Sequence, residues 1–311
     1  MINLDWPPAI FLMGPTASGK TALSVQLAQA IDAEIISVDS ALVYKGMDIG
    51  TAKPTLEERG GIAHHLIDII DPSEAFSTGQ FRHRALALMA DISERGKIPL
   101  LVGGTLLYFN ALTQGLAQLP PANPAIRKRL EQELAESGKA AMHQKLAAID
   151  PEAAARIHPN DPQRVQRALE VFELTGQPLS ALFRQTQTQP VPYRITKLVL
   201  APGDRKVLHE RIALRFRHML DQGLIEEVQK LYQRGDLSEK MPSLRTVGYR
   251  QVWSYLHGEY DEAALVEKAI VATRQLAKRQ FTWLRRETDA HWFTTDPTHL
   301  LENIKATLPQ P

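Results

Sequence analysis

The chain has 311 residues, no cysteine and a formal net charge of +1 at pH 7. This composition excludes disulfides, thiolate zinc sites and cysteine nucleophiles, and it excludes attraction of a polyanion by bulk charge alone. With 44% apolar residues, no run near the ~18 that span a membrane and no signal-like start, we expect a cytoplasmic globular protein of two domains, or of one large domain with an insertion.

The phosphate-binding loop pattern G-x-x-x-x-G-K-[ST] stands at residues 14–21, as Gly14-Pro15-Thr16-Ala17-Ser18-Gly19-Lys20-Thr21. An apolar run of strand length precedes it, and apolar residues at helical spacing follow it. In that context the loop turns backbone N–H groups towards an anion at a helix N-terminus. Lys20 adds a charge at the terminal phosphates, and the Thr21 hydroxyl is a ligand for Mg²⁺. We therefore predict a site for a di- or triphosphate.

A second predicted strand, residues 34–38, ends in Asp39-Ser40. Ligands of an open α/β sheet bind beyond the carboxyl ends of its strands, so Asp39 should lie on the same rim as the phosphate loop. This position favours a functional role for Asp39, as general base, substrate contact or hydrogen-bond partner of a metal's ligands, over that of a turn or helix-capping aspartate. Residues 44–54 contain glycine and proline without helical periodicity, and we expect a mobile loop near the ligand.

His64, His65 and Asp68 raise the question of a metal site. Adjacent histidines on a strand or loop point apart, and no third ligand has suitable spacing. We therefore favour structural histidines over metal ligands.

The apolar run at residues 98–102 predicts a buried parallel strand that ends in Gly103-Gly104-Thr105. A typical ATPase carries its Walker B aspartate at this point, so the sequence argues against ATP hydrolysis of the motor kind. The two glycines permit a close approach of ligand or backbone. Thr105 either caps the following helix or contacts substrate, and the sequence leaves both open.

From Gln118 the alternation of strands and helices stops, and it resumes with a strand at 195–200. We predict an α/β core of the P-loop NTPase type, a parallel sheet flanked by helices, from residues 1–118 and 195–311. An all-helical insertion domain spans 119–194. Asp161-Pro162 begins one of its helices and places Arg164 and Arg167 on one face, exposed to solvent or in contact with a ligand.

The helix that we predict as the last one begins near Asp261 and has no acidic residue between Arg274 and Arg286. At ~100° per residue, Arg274, Lys278 and Arg285 share a narrow arc, which we call the basic stripe. Its composition favours contact with a phosphate backbone over a solvated face. The residues expected to face the core lie opposite: Ala269, Ala272, Leu276 and Trp283.

Seven segments together resemble the bacterial tRNA dimethylallyltransferases: 14–21, 39–54, 65–68, 103–105, 161–170, 248–251 and 273–280. The resemblance implies a prenyltransferase of tRNA modification that moves a dimethylallyl group from its diphosphate to the exocyclic amine of the adenosine just 3′ of the anticodon. It implies dimethylallyl diphosphate, the tRNA anticodon stem-loop and Mg²⁺ on Thr21 as partners, and a monomeric enzyme. The loop motif also associates the family with nucleotide binding and ATP binding, but ATP is not the expected substrate. Eukaryotic relatives carry a C-terminal zinc finger, which a chain without cysteine cannot form.

The resemblance also implies roles for individual residues. Asp39 matches the family's catalytic aspartate and would accept or align the proton of the amine. Lys20, Thr105 and Arg215 complete the implied catalytic set, with Arg215 on the leaving diphosphate. The implied tRNA contacts are Asp39, Ser40, Ala41, Leu42, Thr105, Arg127, Gln163, Arg164, Val165, Gln166, Arg167, Leu244, Arg245, Thr246, Val247, Gly248, Tyr249, Arg274, Lys278, Arg279, Gln280, Phe281, Thr282, Trp283, Leu284 and Arg285.

Two other classes of protein fit the residues. A nucleoside or metabolite kinase would use the same loop, with 119–194 as a lid, and would turn over ATP without responding to tRNA. A nucleotide-switched RNA-binding protein would bind tRNA in a nucleotide-dependent way and form no product. The transferase, unlike both, forms a product on tRNA, and it must take an anticodon-loop base out of its stack to do so.

Overall fold

The structure is a computed structural model that describes residues 6–117, 119–185, 190–295 and 298–308. The chain divides into two compact units. The first joins the residues up to Thr113 to those from Val191 onward, and the second is Gln114–Pro190. The helical insertion predicted over 119–194 overlaps most of the second unit.

The first unit is built on a parallel sheet, and its described strands are β1 (Pro8–Met13), β2 (Ala33–Val38), β3 (His64–His65), β4 (Ile98–Gly103), β5 (Arg194–Ala201) and β6 (His291–Thr294). Their order is β3-β2-β4-β1-β5-β6, and every neighbouring pair is parallel. This arrangement confirms the predicted α/β fold. The edge strand β6 was not predicted, because its four residues are mostly exposed and form no apolar run.

Helices cover both faces of the sheet. In the first unit they are α1 (Lys20–Ala30), α2 (Thr78–Glu94), α3 (Leu106–Gln114, which ends just inside the second unit), α8 (Arg205–Asp221), α9 (Leu224–Gln233), α10 (Tyr249–Leu256), α11 (Glu262–Leu284) and α12 (Leu300–Thr307). The prediction that the helix from Asp261 is the last one was wrong, since α12 follows it. None of the helices within the described ranges is long and apolar enough to cross a membrane.

Strand β1 shows why this sheet forms a core. Ala9, Phe11 and Met13 belong to one apolar cluster, whereas Ile10 and Leu12 belong to a second cluster on the opposite face. A parallel strand covered on both faces requires such a continuous apolar run. The carboxyl ends of β1, β2 and β4 consequently meet at one rim, which carries the phosphate loop.

The second unit has an apolar cluster of its own, which includes Leu130, Leu146, Val165 and Leu169. Its helices are α4 (Pro124–Ile149), α5 (Pro151–Arg156), α6 (Pro162–Thr175) and α7 (Leu179–Gln185). Asp161 begins α6 as predicted, because its carboxylate accepts the Arg164 N–H at 3.2 Å.

Candidate active site

The backbone of the phosphate loop requires glycine at two points. A Cβ at Gly14 would lie 2.2 Å from the Leu200 carbonyl oxygen, so only glycine fits between β1 and β5. Gly19 has φ of +83° and precedes the first residue of α1, Lys20. The loop therefore ends at a helix N-terminus, where backbone N–H groups and the helix dipole favour an anion.

Lys20 lies folded against the loop. Its Nζ donates to the Pro15 carbonyl oxygen at 2.7 Å and to Ser18 Oγ at 3.3 Å. Burial lowers the pKa of Lys20 to about 7, Asp39 opposes that change, and Arg215 adds to it. A bound diphosphate would return the full charge to this ammonium group, because an anion favours the charged form.

Arg215, on α8, lies at the loop. Its Nη2 donates a hydrogen bond to Thr16 Oγ1. Burial lowers the pKa of Arg215, and the nearby Asp39 raises it. Lys20, Arg215 and Asp39 thus share one electrostatic site at the end of the sheet.

The side chain of Gln280 joins α11 to the same loop. Its Oε1 accepts the Thr16 N–H at 2.9 Å, and its Nε2 donates to the Gly104 carbonyl oxygen at 2.9 Å. Gln280 was among the implied tRNA contacts, but the structure buries it to 9% exposure. Nothing in the periodicity of α11 indicated this contact.

Asp39 and Thr105 both accept hydrogen bonds from the backbone of the turn that follows β2. Asp39 Oδ1 accepts the Ala41 N–H at 2.8 Å, and Thr105 Oγ1 accepts the Ser40 N–H at 3.1 Å. The Thr105 hydroxyl therefore holds the turn after β2, a third arrangement beside the two that the sequence left open. A Cβ at Gly103 would lie 2.0 Å from the Val38 carbonyl oxygen, so glycine lets the ends of β2 and β4 approach.

The loop at 44–54 is anchored by Glu227, on α9. Its carboxylate accepts the N–H groups of Asp48 at 2.9 Å, Ile49 at 2.8 Å and Gly50 at 3.2 Å. It also accepts a hydrogen bond from the Tyr249 hydroxyl. We predicted a mobile loop from its glycines. The structure instead holds three consecutive N–H groups of this loop on one carboxylate. Glu227 was missed because it follows this loop by almost 180 residues.

The two histidines that follow that loop each have a partner within the protein. His64 Nδ1 lies 2.9 Å from the Ile62 carbonyl oxygen, and His65 Nε2 lies 2.8 Å from Glu34. Within the described ranges, no group of three or more His, Asp or Glu side chains is arranged to hold a metal ion.

The buried face of α11 is rotated from the predicted one. Its centre holds Thr273, Ala277, Gln280 and Leu284, whereas Leu276 and Trp283 are only half-buried. The prediction assumed that polar side chains face solvent, and Gln280 breaks this rule because its amide is bonded to the loop. Ala269 and Ala272 are buried as predicted.

The basic stripe is uneven in exposure. Lys278 and Arg285 are exposed, but Arg274 is half-buried, and its Nε has no hydrogen-bond partner among the described residues. Four implied tRNA contacts besides Gln280 have buried side chains: Val165, Leu244, Tyr249 and Leu284.

In the second unit, two of the arginines predicted from sequence converge on one buried acid. Glu170 is fully buried and accepts hydrogen bonds from Arg127 Nε at 2.9 Å, Arg127 Nη2 at 3.1 Å, Arg167 Nη1 at 2.6 Å and the Asn123 N–H at 2.8 Å. Burial raises the pKa of Glu170, but these hydrogen bonds outweigh burial and hold it below its ordinary value. Arg164 instead pairs with Asp161 at 2.8 Å and stays largely exposed.

The sequence is similar to known proteins over nearly its whole length. The model of the IPP transferase family matches residues 42–287. A protein of Methylococcus capsulatus named tRNA dimethylallyltransferase is 62% identical over 295 residues, which cover 95% of each chain. A protein of the same name from Nitrosococcus oceani is 59% identical, with 91% of this chain and 90% of its own covered.

Solved structures agree. The tRNA isopentenylpyrophosphate transferase of Bacillus halodurans is 41% identical with a TM-score of 0.70, and 96% of this chain and 94% of that one are covered. A eukaryotic dimethylallyltransferase acting on tRNA is 28% identical with a TM-score of 0.82, and 96% of this chain and 77% of that one are covered. With the phosphate loop, the basic site around it and a family match over most of the sequence, this chain belongs to the IPP transferase family.

Proposed function

We propose that this protein modifies tRNA, transferring a dimethylallyl group from dimethylallyl diphosphate to the exocyclic amine of the adenosine immediately 3′ of the anticodon. The observation that carries the proposal is 62% identity, over 95% of both chains, to a protein named tRNA dimethylallyltransferase. The reaction has three requirements, and we assign residues of this chain to each.

The first requirement is a site for the leaving diphosphate. As the allylic C–O bond breaks, its electron pair stays on the diphosphate, whose charge increases. Lys20, Arg215 and the N–H groups at the start of α1 would neutralise that charge, and the two side chains share one electrostatic site. No γ-phosphate is transferred, which is why β4 can end in Gly103-Gly104-Thr105 without a carboxylate.

A magnesium ion fits this site. Thr21 is exposed in the first turn of α1, and the part of the chain that the structure describes holds no group of three or more acids or histidines arranged to bind a metal ion. Mg²⁺ is commonly bound by one or two protein groups together with phosphate oxygens and water, so one hydroxyl beside a diphosphate suffices. Bound there, Mg²⁺ would neutralise charge on the leaving group.

The second requirement is activation of the amine. An aromatic amine is a weak nucleophile because its lone pair is delocalised into the ring. Asp39 would accept the proton that the amine loses as the N–C bond forms, or hold the amine in line. Thr105 supports this step by holding the Ser40 N–H beside Asp39.

The third requirement is tRNA binding. The exposed cations of the implied contact segments, among them Arg245, Lys278 and Arg285 of the first unit and Arg164 of the second, would meet phosphates of the anticodon stem-loop. The target base would be unstacked to reach the site. We expect the enzyme to act as a cytoplasmic monomer.

The test incubates purified protein with unmodified tRNA, Mg²⁺ and either dimethylallyl diphosphate or ATP. We expect pyrophosphate release that depends on tRNA and dimethylallyl diphosphate, a prenylated adenosine in mass analysis of tRNA nucleosides, and intact ATP. ATP should act at most as a weak competitor for the loop. Conversion of ATP to ADP stimulated by tRNA, with dimethylallyl diphosphate inert, would overturn the proposal in favour of the kinase or the switch.

A further inference from the structure

Gln280 is a polar side chain on the buried face of α11. Its neighbours on that face are Ala277 and Leu284, and it is 9% exposed. A primary amide removed from water is costly unless its hydrogen-bonding groups find partners. The Gln280 amide therefore needs a donor for its oxygen and an acceptor for its NH₂ group within the protein.

Both partners belong to the rim of the diphosphate site. The Thr16 N–H donates to Gln280 Oε1, and the Gly104 carbonyl oxygen accepts from Nε2, each at 2.9 Å. An N–H group only donates and a carbonyl only accepts, so the two partners dictate which way the amide points. One side chain thus joins the phosphate loop to the end of β4.

A second observation supports this bridge. A Cβ at Gly104 would lie 2.4 Å from Gln280 Nε2, so a larger residue at 104 would displace the amide from this position. Thr16 is in turn held through its hydroxyl by Arg215. Backbone and side chain of Thr16 are therefore held from two different helices, α11 and α8.

We infer that Gln280 is a positioning residue of the diphosphate site rather than an RNA contact. It holds Thr16 in the conformation in which Arg215 meets the loop and links that loop to the turn before Thr105. The inference takes only the identity of the donor from the proposed function. It assigns two tasks to one helix: the exposed side of α11 carries the basic stripe, and its buried side supports the phosphate loop.

The experiment measures binding of pyrophosphate with Mg²⁺ to the full chain by calorimetry, with tRNA affinity measured on the same preparations. Gln280→Leu leaves the Thr16 N–H and the Gly104 carbonyl unpaired, and we expect pyrophosphate affinity to fall by about tenfold or more. Gln280→Glu still accepts from Thr16, but it cannot donate to Gly104 and adds a negative charge, so it should weaken pyrophosphate at least as much. Affinity for tRNA should change by less than about twofold, well under the effect of one lost hydrogen bond.

Gln275 provides the matched control, since it lies exposed on the same helix. Gln275→Glu adds the same charge and should leave pyrophosphate binding unchanged. Thermal unfolding shows which variants fold, and Gln280→Asn, whose shorter side chain cannot span both partners, replaces any that do not. Unchanged pyrophosphate affinity in the folded variants at 280, or a loss confined to tRNA affinity, would overturn the inference. Should pyrophosphate affinity fall as expected in a protein that makes no prenylated tRNA, the inference stands and the proposed function fails.

Discussion

The carboxylate of Glu227 accepts a hydrogen bond from the buried hydroxyl of Tyr249. The same carboxylate holds three consecutive N–H groups, those of Asp48, Ile49 and Gly50. Burial and the neighbouring Glu227 raise the pKa of Tyr249, so the phenol stays protonated and donates. A Cβ at Gly50 would lie 2.5 Å from the Tyr249 ring, which shows how closely loop and ring pack. This pair ties the loop after Asp39 to the helices behind it.

Glu227→Gln should release the loop. The amide keeps one acceptor oxygen but loses the charge that three backbone N–H groups and the phenol share. We expect the free energy of unfolding to fall by roughly 1–3 kcal/mol and amide exchange at residues 48–50 to accelerate. The control is Glu226→Gln, the exposed neighbour on α9, and equal effects of both substitutions on amide exchange would refute the anchoring role.

Binding of pyrophosphate should weaken as pH rises above 7. Burial lowers the pKa of Lys20 to about 7, so the empty site loses this charge above that pH. A bound anion restores the charge, which means that binding takes up a proton and is favoured at lower pH. Calorimetry between pH 7 and 9 should show wild-type affinity falling relative to Lys20→Arg, which keeps its charge throughout. Parallel pH profiles for the two proteins would contradict a neutral Lys20.

Asp39→Asn should slow the chemical step by ~10²–10⁴, the usual range for a general base. An asparagine oxygen still accepts the Ala41 N–H, so the substitution removes the charge while keeping the turn. Single-turnover rates at saturating tRNA and dimethylallyl diphosphate isolate this step. Asp32→Asn, just before β2 and exposed, serves as the control. If chemistry stayed near the wild-type rate, Asp39 would be a turn residue only.

Neutral substitutions in the basic stripe should weaken tRNA binding. Each cation that meets a phosphate contributes up to about one unit to the slope of log affinity against log salt. We expect Lys278→Gln and Arg285→Gln to make that slope shallower, with little change in the Michaelis constant for dimethylallyl diphosphate. Lys268→Gln, on the same helix outside the stripe, should leave the slope unchanged. A double variant that binds tRNA normally at several salt concentrations would mean that the stripe is a solvated face.

Glu170→Gln should weaken tRNA binding although it makes the protein more positive. Glu170 orients Arg127 and Arg167, and without its charge the two arginines lose their shared partner. Glu173→Gln adds the same charge one turn later, where Glu173 pairs with the exposed Arg129, and it should bind tRNA as well as the wild type or slightly better. Tighter tRNA binding by Glu170→Gln, measured with thermal unfolding as a check on folding, would show that bulk charge decides the affinity.

The elements that could be predicted from sequence are those with strong local patterns. The strands at 9–13 and 98–102 are continuous apolar runs, and the helix start at Asp161 follows from a side chain that caps its own backbone. Strand β6 and helix α12 were missed because they are short and one of them is largely exposed. Apolar periodicity predicts an element only when enough of its side chains are buried to repeat the pattern.

Residue patterns by themselves predicted a site for a di- or triphosphate, because the loop at 14–21 is a local motif whose glycines and lysine act on the neighbouring backbone. The resemblance of seven short segments to one family indicated the family from sequence as well. Tertiary structure alone decided how that loop is supported. Gln280 lies 264 positions from Thr16, and Glu227 lies 178 positions from Ile49, so no local periodicity relates them. A buried polar side chain takes its role from the partners that the fold brings to it, which is why Gln280 lies at the phosphate loop and Glu170 between two arginines.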